Sequence, residues 1–368
     1  MNIFEYIIYF LLFICNKYID IKLTDKLLNQ FENKMINKYL SKTEIKSSDI
    51  PVIKSGELTH NNFIKLSNNF RKPVIIKGYL KDTRDVNKWD IDYLKKIIGD
   101  FKINVLCKED KLEIKNYKFS EFANDMKHKN IYINNNHTIL SEFPSLYDDI
   151  KTKFNNFKDT INTNLRNIHI ANLFIGYNRK EDITGSNMHC GGSGNFFCMI
   201  RGKKRWTLID PKYSCILKGR VAQTGIHAQT LFDMPDTDLL TYPKIFNYLP
   251  RYDIVLDPGD ILWNAPWWWH RIENDDGLNI GMAIRNNKVT KLNLLNNFTY
   301  TLSGYTYLLY NTYVINMYEK FKLKKNENFN KKDEYDKTNV LYQIEKLIKK
   351  YPKTILIDDI ININPKDK

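Results

Sequence analysis

Two histidines far apart in the chain, His189 and His270, carry the chemistry this sequence offers. His189 sits in the run Ser186 to Trp206, and His270 ends the run Asp257-Pro-Gly-Asp-Ile-Leu-Trp-Asn-Ala-Pro-Trp-Trp-Trp-His270. A histidine set among indoles and aliphatic side chains is drier than one in water, which favours the neutral imidazole that a divalent metal needs. Lys204 follows His189 in the same run. A lysine held in a dry cleft needs an anion to offset its desolvation, and a small dicarboxylate supplies one. Left in water, the same residue is simply one of the solvated cations of the run Arg201 to Arg205.

These side chains need rigid carriers. The apolar run Phe196 to Ile200 predicts a short buried strand, Gly202 a tight turn and Lys203 to Ile209 a return strand, together a hairpin with His189 at its mouth. Pro258-Gly259-Asp260 predicts a turn, Ile261 to Trp263 a strand, Asn264-Ala265-Pro266 another turn, and Trp267 to Ile272 a strand that carries His270. Alternation sends at least one of Trp267, Trp268 and Trp269 into the core, so the three read mainly as packing.

In this order the features resemble the JmjC or cupin-like branch of the Fe(II)/2-oxoglutarate oxygenases, with spacing nearest to its hypoxia-type asparaginyl hydroxylases. The resemblance runs from about Pro51 to Ile284 and starts with Lys72-Pro-Val-Ile-Ile76, then Trp89 and a short helix. It implies a mainly β fold with flanking helices, built on a double-stranded β-helix or jelly-roll core. It also implies Fe(II) and 2-oxoglutarate as cofactors, with His189 and His270 on the metal. Lys204 falls at the lysine that binds the cosubstrate, fifteen positions after His189 as in the resembled hydroxylases. Ser186 and Tyr132 fall at hydroxyl groups near the cosubstrate carboxylate, and Asn195 toward the metal end of the same ligand. Arg285 is placed at the cosubstrate end. Tyr132 also fits an ordinary half-buried strand tyrosine.

One family residue is missing. The family reads His-x-Asp where this chain reads His189-Cys190-Gly191. Non-haem iron uses two imidazoles and one carboxylate, which leaves positions open for oxygen and cosubstrate. Three readings of Gly191 stay open: a halogenase-like site that takes a halide there, a carboxylate such as Glu181 or Asp182 brought in from the preceding loop, or a site without metal. Cys190 is a poor substitute, because strand neighbours point to opposite faces. His227, read as part of the long excursion from Cys215 to Tyr252, has the profile of a solvated loop histidine more than of a third ligand. The same excursion carries Asp233, Asp236 and Asp238, which in this family would border the substrate cleft. The function expected is a JmjC-type oxygenase hydroxylating a protein side chain. Its alternatives are a halogenase-like enzyme or a non-catalytic cupin-like domain that binds a ligand, peptide or nucleic acid.

Composition sets outer bounds. With 368 residues, 43% of them hydrophobic and 13% aromatic, the chain builds a packed core and is not disordered. A formal charge of +14 suits an acidic partner such as nucleic acid, but the lysines are scattered rather than blocked together. The joint excess of Lys, Asn and Ile points to an AT-rich genome, such as that of a large virus or a protist. Five cysteines without a Cys-x-x-Cys pair argue for reduced thiols and against a zinc site.

Residues 46–290 are expected to hold the barrel, residues 1–45 a hydrophobic segment and helix, and residues 291–368 a helical extension. Tyr6 to Cys15 is an apolar run of ten residues, short of the roughly 20 a membrane span needs. It reads either as a weak membrane anchor over residues 3–15 or as a helix docked on the domain. Thr24 is a candidate N-cap for the helix that follows. Toward the C-terminus, Leu302, Tyr305, Leu308, Leu309, Tyr313 and Met317 share one helical face, which in related hydroxylases would serve a homodimer.

Overall fold

The computed structural model describes residues 1–19, 22–81, 87–108, 112–161, 171–180, 183–222, 227–233, 242–286 and 290–309. In chain order the strands are β1 (Val52–Lys54), β2 (Val74–Lys77), β3 (Lys102–Lys108), β4 (Leu112–Lys118), β5 (Ile131–Asn136), β6 (Ala171–Asn178), β7 (Gly185–Gly191), β8 (Gly194–Arg201), β9 (Lys204–Ile209), β10 (Gly219–Val221), β11 (His227–Thr230), β12 (Arg251–Leu256), β13 (Ile261–Asn264), β14 (Trp269–Asn274) and β15 (Gly277–Asn286). The helices are α1 (Ile3–Ile19), α2 (Lys22–Leu40), α3 (His60–Leu66), α4 (Ile91–Ile98), α5 (Phe119–Asp125), α6 (Thr138–Glu142), α7 (Pro144–Ile161), α8 (Thr290–Asn296) and α9 (Phe298–Leu309).

The strands form two sheets, β1-β2-β13-β8-β15-β6-β5-β3-β4 and β10-β11-β7-β14-β9-β12. Among the described residues every ladder is antiparallel apart from the parallel β1–β2 pair. This is the jelly-roll core the sequence predicts. The anticipated hairpin, however, is not one. β8 pairs with β13 and β15 in the larger sheet, whereas β9 pairs with β12 and β14 in the smaller. Gly202, at φ 75°, turns a corner between sheets. A short glycine link serves either purpose, and the choice is made by strands from much later in the chain that occupy both edges of β8.

Local chemistry sets the flanking helices. The Asn62 amide donates to the Thr59 side chain at 3.2 Å to start α3, and the Tyr93 amide donates to Asp90 at 2.8 Å to start α4. Phe63, Trp89, Leu94, Phe119 and Phe122, from the helical segments, then join Val74, Ile76, Phe196 and Trp263 of the larger sheet in the main core. A second core covers the outer face of the smaller sheet. There Met188, Cys190, Ile209, Trp267 and Trp269 meet Tyr9 and Phe13 of α1, Leu28 and Met35 of α2, and Tyr300 of α9. Thr24 lies inside α2, near its first turn, and is buried, so it is not the cap the sequence suggests.

All three tryptophans of Trp267 to Trp269 are buried and hydrogen-bonded through their indole N–H groups, to Thr301, the Arg71 carbonyl and Ser214. Among the described residues, no helix is long and apolar enough to cross a membrane. Tyr313 and Met317 lie outside the described residues, as do Glu181, Asp182, Asp236 and Asp238.

Gly185 opens β7 at φ 149°, where a Cβ would overlap the Ile272 carbonyl of β14. Gly185→Ala is therefore expected to cost about 2 kcal/mol or more, through backbone strain together with a clash that no side-chain rotation relieves. Urea unfolding monitored by tryptophan fluorescence checks this; an unchanged midpoint would contradict the geometry.

Candidate active site

The register of three strands builds the site. β14 pairs with β7 so that His270 stands directly opposite His189, and opposed residues in an antiparallel pair share a face. Their ring centroids lie 4.2 Å apart. His189 Nδ1 donates to the Asn187 carbonyl at 2.7 Å, and His270 Nδ1 donates to the Trp268 carbonyl at 2.8 Å. Carbonyls only accept, so each Nδ1 carries the proton and each Nε2 keeps its lone pair. Burial lowers the pKa of His189 to about 4, and burial together with the neighbouring His189 pushes His270 well below its usual value. Both rings are thus neutral donors at physiological pH. The Trp206 indole stacks on His270, centroids 5.7 Å apart, and fixes its plane.

The pair opens onto a cavity of about 310 Å³, lined by Ser186, Gly191, Asn195, Phe197, Ile272 and Arg285 among others. Asn195 faces it with a buried Oδ1 that has no hydrogen-bond partner among the described residues. Arg285 donates from Nη2 to Asn135 Oδ1 at 2.6 Å. Cys190 instead packs into the second core beside Met188, as alternation along β7 requires.

Lys204 is 1% exposed and points inward from β9. It donates to Asn274 Oδ1 and, at 3.3 Å, to Tyr132 Oη, with the Phe197 ring 5.8 Å away. Among the described residues no carboxylate pairs with it, and burial lowers its pKa to about 7. Burial raises the pKa of the Tyr132 phenol. Lys204 and Tyr132 do not line the cavity themselves. Phe197, which does line it, has its ring 5.8 Å from the Lys204 ammonium.

Sequence reasoning named Tyr132 but missed Asn274, the other group that holds Lys204. Asn274 also donates to Thr184 Oγ1 at 2.6 Å, whose amide donates to Asn178 Oδ1 at 2.6 Å. Period-two counting from His270 reaches Asn274 on the same face, so that residue was within reach of the sequence. Asp233, expected beside the substrate cleft, is fully buried. It accepts from Asn187 Nδ2 at 2.6 Å, the Met188 amide at 2.7 Å and Arg271 Nη1 at 3.0 Å. It thereby braces the stretch of β7 whose Asn187 carbonyl orients His189. His227 is on a strand, β11, and not in a loop as the sequence suggested.

The donor set fits a divalent metal in two positions. Among the described residues no three His, Cys, Asp or Glu side chains stand close enough together to hold one, and Gly191 offers nothing where a carboxylate is expected.

Comparison with known proteins agrees with this architecture. A family described as the cupin-like domain matches residues 62–284. The chain is 29% identical to JmjC domain-containing protein A of Dictyostelium discoideum over 224 residues, covering 56% of this chain and 84% of that protein. It is 26% identical over 262 residues to tRNA wybutosine-synthesizing protein 5 of Mus musculus, covering 63% and 77%. An arginine-specific demethylase of Arabidopsis thaliana is 25% identical over 260 residues, covering 64% of this chain and 45% of that protein. With the jelly roll in place, two imidazoles converging at its mouth and the match extending over more than half its length, the chain belongs to the cupin-like, JmjC-related family.

Proposed function

We propose that the chain is an Fe(II)/2-oxoglutarate-dependent oxygenase that hydroxylates a side chain of a protein substrate. The carrying observation is the pairing of two converged neutral imidazoles with a buried lysine that has no counter-ion among the described residues, inside one barrel. Iron with the oxoacid would supply the oxygen activation needed to take a hydrogen atom from a bound substrate. His189 and His270 would hold the metal through Nε2, each kept in the correct tautomer by its carbonyl. Lys204, with Tyr132, would hold the far carboxylate of the oxoacid. Ser186 and Asn195 both line the cavity; Ser186 would meet the cosubstrate carboxylate and Asn195 the metal end of the same ligand. The cavity walls of Phe197, Trp206 and Ile272 would exclude water.

Anaerobic addition of Fe(II) and then 2-oxoglutarate to the full chain tests this, followed by the weak visible charge-transfer absorption. A band that saturates with 2-oxoglutarate, and vanishes in His189→Ala and His270→Ala, is expected. No band in the wild type would leave a non-catalytic binding domain, and a requirement for chloride or bromide would redirect the reading to halogenation. Peptide and tRNA pools are the substrates to compare, since named relatives include an arginine-specific demethylase and a tRNA-modifying protein.

A further inference from the structure

β11 runs antiparallel to β7 on the side away from β14, with Gln229 opposite His189, Ala228 opposite Cys190 and His227 opposite Gly191. Directly opposed residues share a face, with Cα atoms about 4.5–5.5 Å apart. His227 therefore stands on the cavity face, across from the one position where the expected carboxylate is absent. Both strands are held by ladder hydrogen bonds, so this placement does not depend on a loop. His227 is half-buried and lines the same cavity as His189, Gly191 and His270.

We propose that His227 replaces the missing carboxylate, so that His189, His227 and His270 form a three-imidazole metal site. This rests on the metal reading of the His189–His270 pair. Among the described residues no three donors have closed on one point, so His227 completes the set by rotating about its side-chain torsions when metal enters. The glycine at 191 is what leaves it room, since that residue projects no side chain onto the shared face. Replacing a carboxylate by a neutral ring leaves the bound metal one charge more positive, which favours an anionic cosubstrate. It also shifts preference toward metals that suit imidazole, such as cobalt, copper and zinc, over manganese.

The test uses the full chain, stripped of metal, with Co(II) and Cu(II) as probes. Equilibrium dialysis should give one Co(II) per chain in the wild type. Residues that only support a ligand are already worth about 10–100-fold in affinity, so removing a donor with His227→Ala should weaken Co(II) binding by about 100-fold or more. Gly191→Asp added to that variant should recover much of the loss. Nitrogen superhyperfine structure in the Cu(II) electron paramagnetic resonance spectrum should count three imidazoles in the wild type, a readout that needs no variant to fold. Two imidazoles in that spectrum, or undiminished Co(II) binding by His227→Ala while His189→Ala loses it, would overturn the role of His227 and leave the two-histidine site standing. A wild type that binds neither metal would overturn both readings.

Discussion

Lys204→Met is expected to weaken 2-oxoglutarate binding by roughly 10- to 100-fold, the worth of a charged hydrogen bond, while making the protein more stable at pH 6. The second half follows from burial. In the folded chain desolvation lowers the lysine from its ordinary 10.5 to about 7. Between those values the unfolded chain holds a proton that the folded chain has released, so this group makes stability rise with pH from about 7 to 10.5. Below about 7 both states are protonated and the full penalty applies, on the order of 5 kcal/mol. Methionine removes that penalty but leaves the Asn274 oxygen without its donor, at a cost of about 1–3 kcal/mol. The balance is a gain of roughly 2–4 kcal/mol below neutral pH that shrinks as pH rises. Denaturant unfolding of both proteins at pH 6 and pH 9, with and without 2-oxoglutarate, measures this. Equal pH slopes in the two would mean that Lys204 does not pass through this change of charge. Stabilisation of the variant by the oxoacid equal to that of the wild type would remove Lys204 from the ligand site.

Asp233→Ala is the second large effect expected, in the opposite direction. Asp233 and Arg271 are 0% and 1% exposed, and their contact at 3.0 Å is an ion pair sealed from water. Taking the carboxylate away deprives a buried guanidinium, which also contacts Glu273, of its fully buried counter-ion, and removes the acceptor used by Asn187 Nδ2 and the Met188 amide. Loss of one partner of a buried pair typically costs about 3–5 kcal/mol. Asp233→Asn, which keeps the shape and one acceptor, should fall between. Because the Asn187 carbonyl orients His189, the alanine variant should also bind metal more weakly than its loss of stability alone accounts for. Thermal unfolding with and without Co(II) separates the two. A melting temperature within 2 °C of wild type, well under the shift expected for such a loss, would mean that the pair contributes little.

Much of the barrel can be read from particular residues. Pro258-Gly259-Asp260 marks its turn, with Gly259 at φ 92°, and the strand after it begins at Ile261 as its apolar run indicates. Asp90 caps its helix by a contact local enough to read from spacing. The pairing of β8 was not legible, because alternation tells which face a residue takes but not which strand lies beside it. The same limit hid Asp233, whose partners come from two other strands, and Asn274, whose role exists only because Lys204 is opposite it.

By itself the sequence determined the residue types and the local periods. It offered two histidines in strand-forming runs, a lysine at the head of a return strand, and a glycine where the resemblance leads one to expect a carboxylate. Those properties depend on neighbours a few positions away, which the chain carries with it. Only the tertiary structure decided that His270 and His227 flank β7 on opposite sides, that Lys204 is dry, and that a nearby aspartate is spent on Arg271. Each of these is a contact between segments tens of residues apart, and such contacts are chosen by competition among all strands for edges and for burial, which no single stretch records.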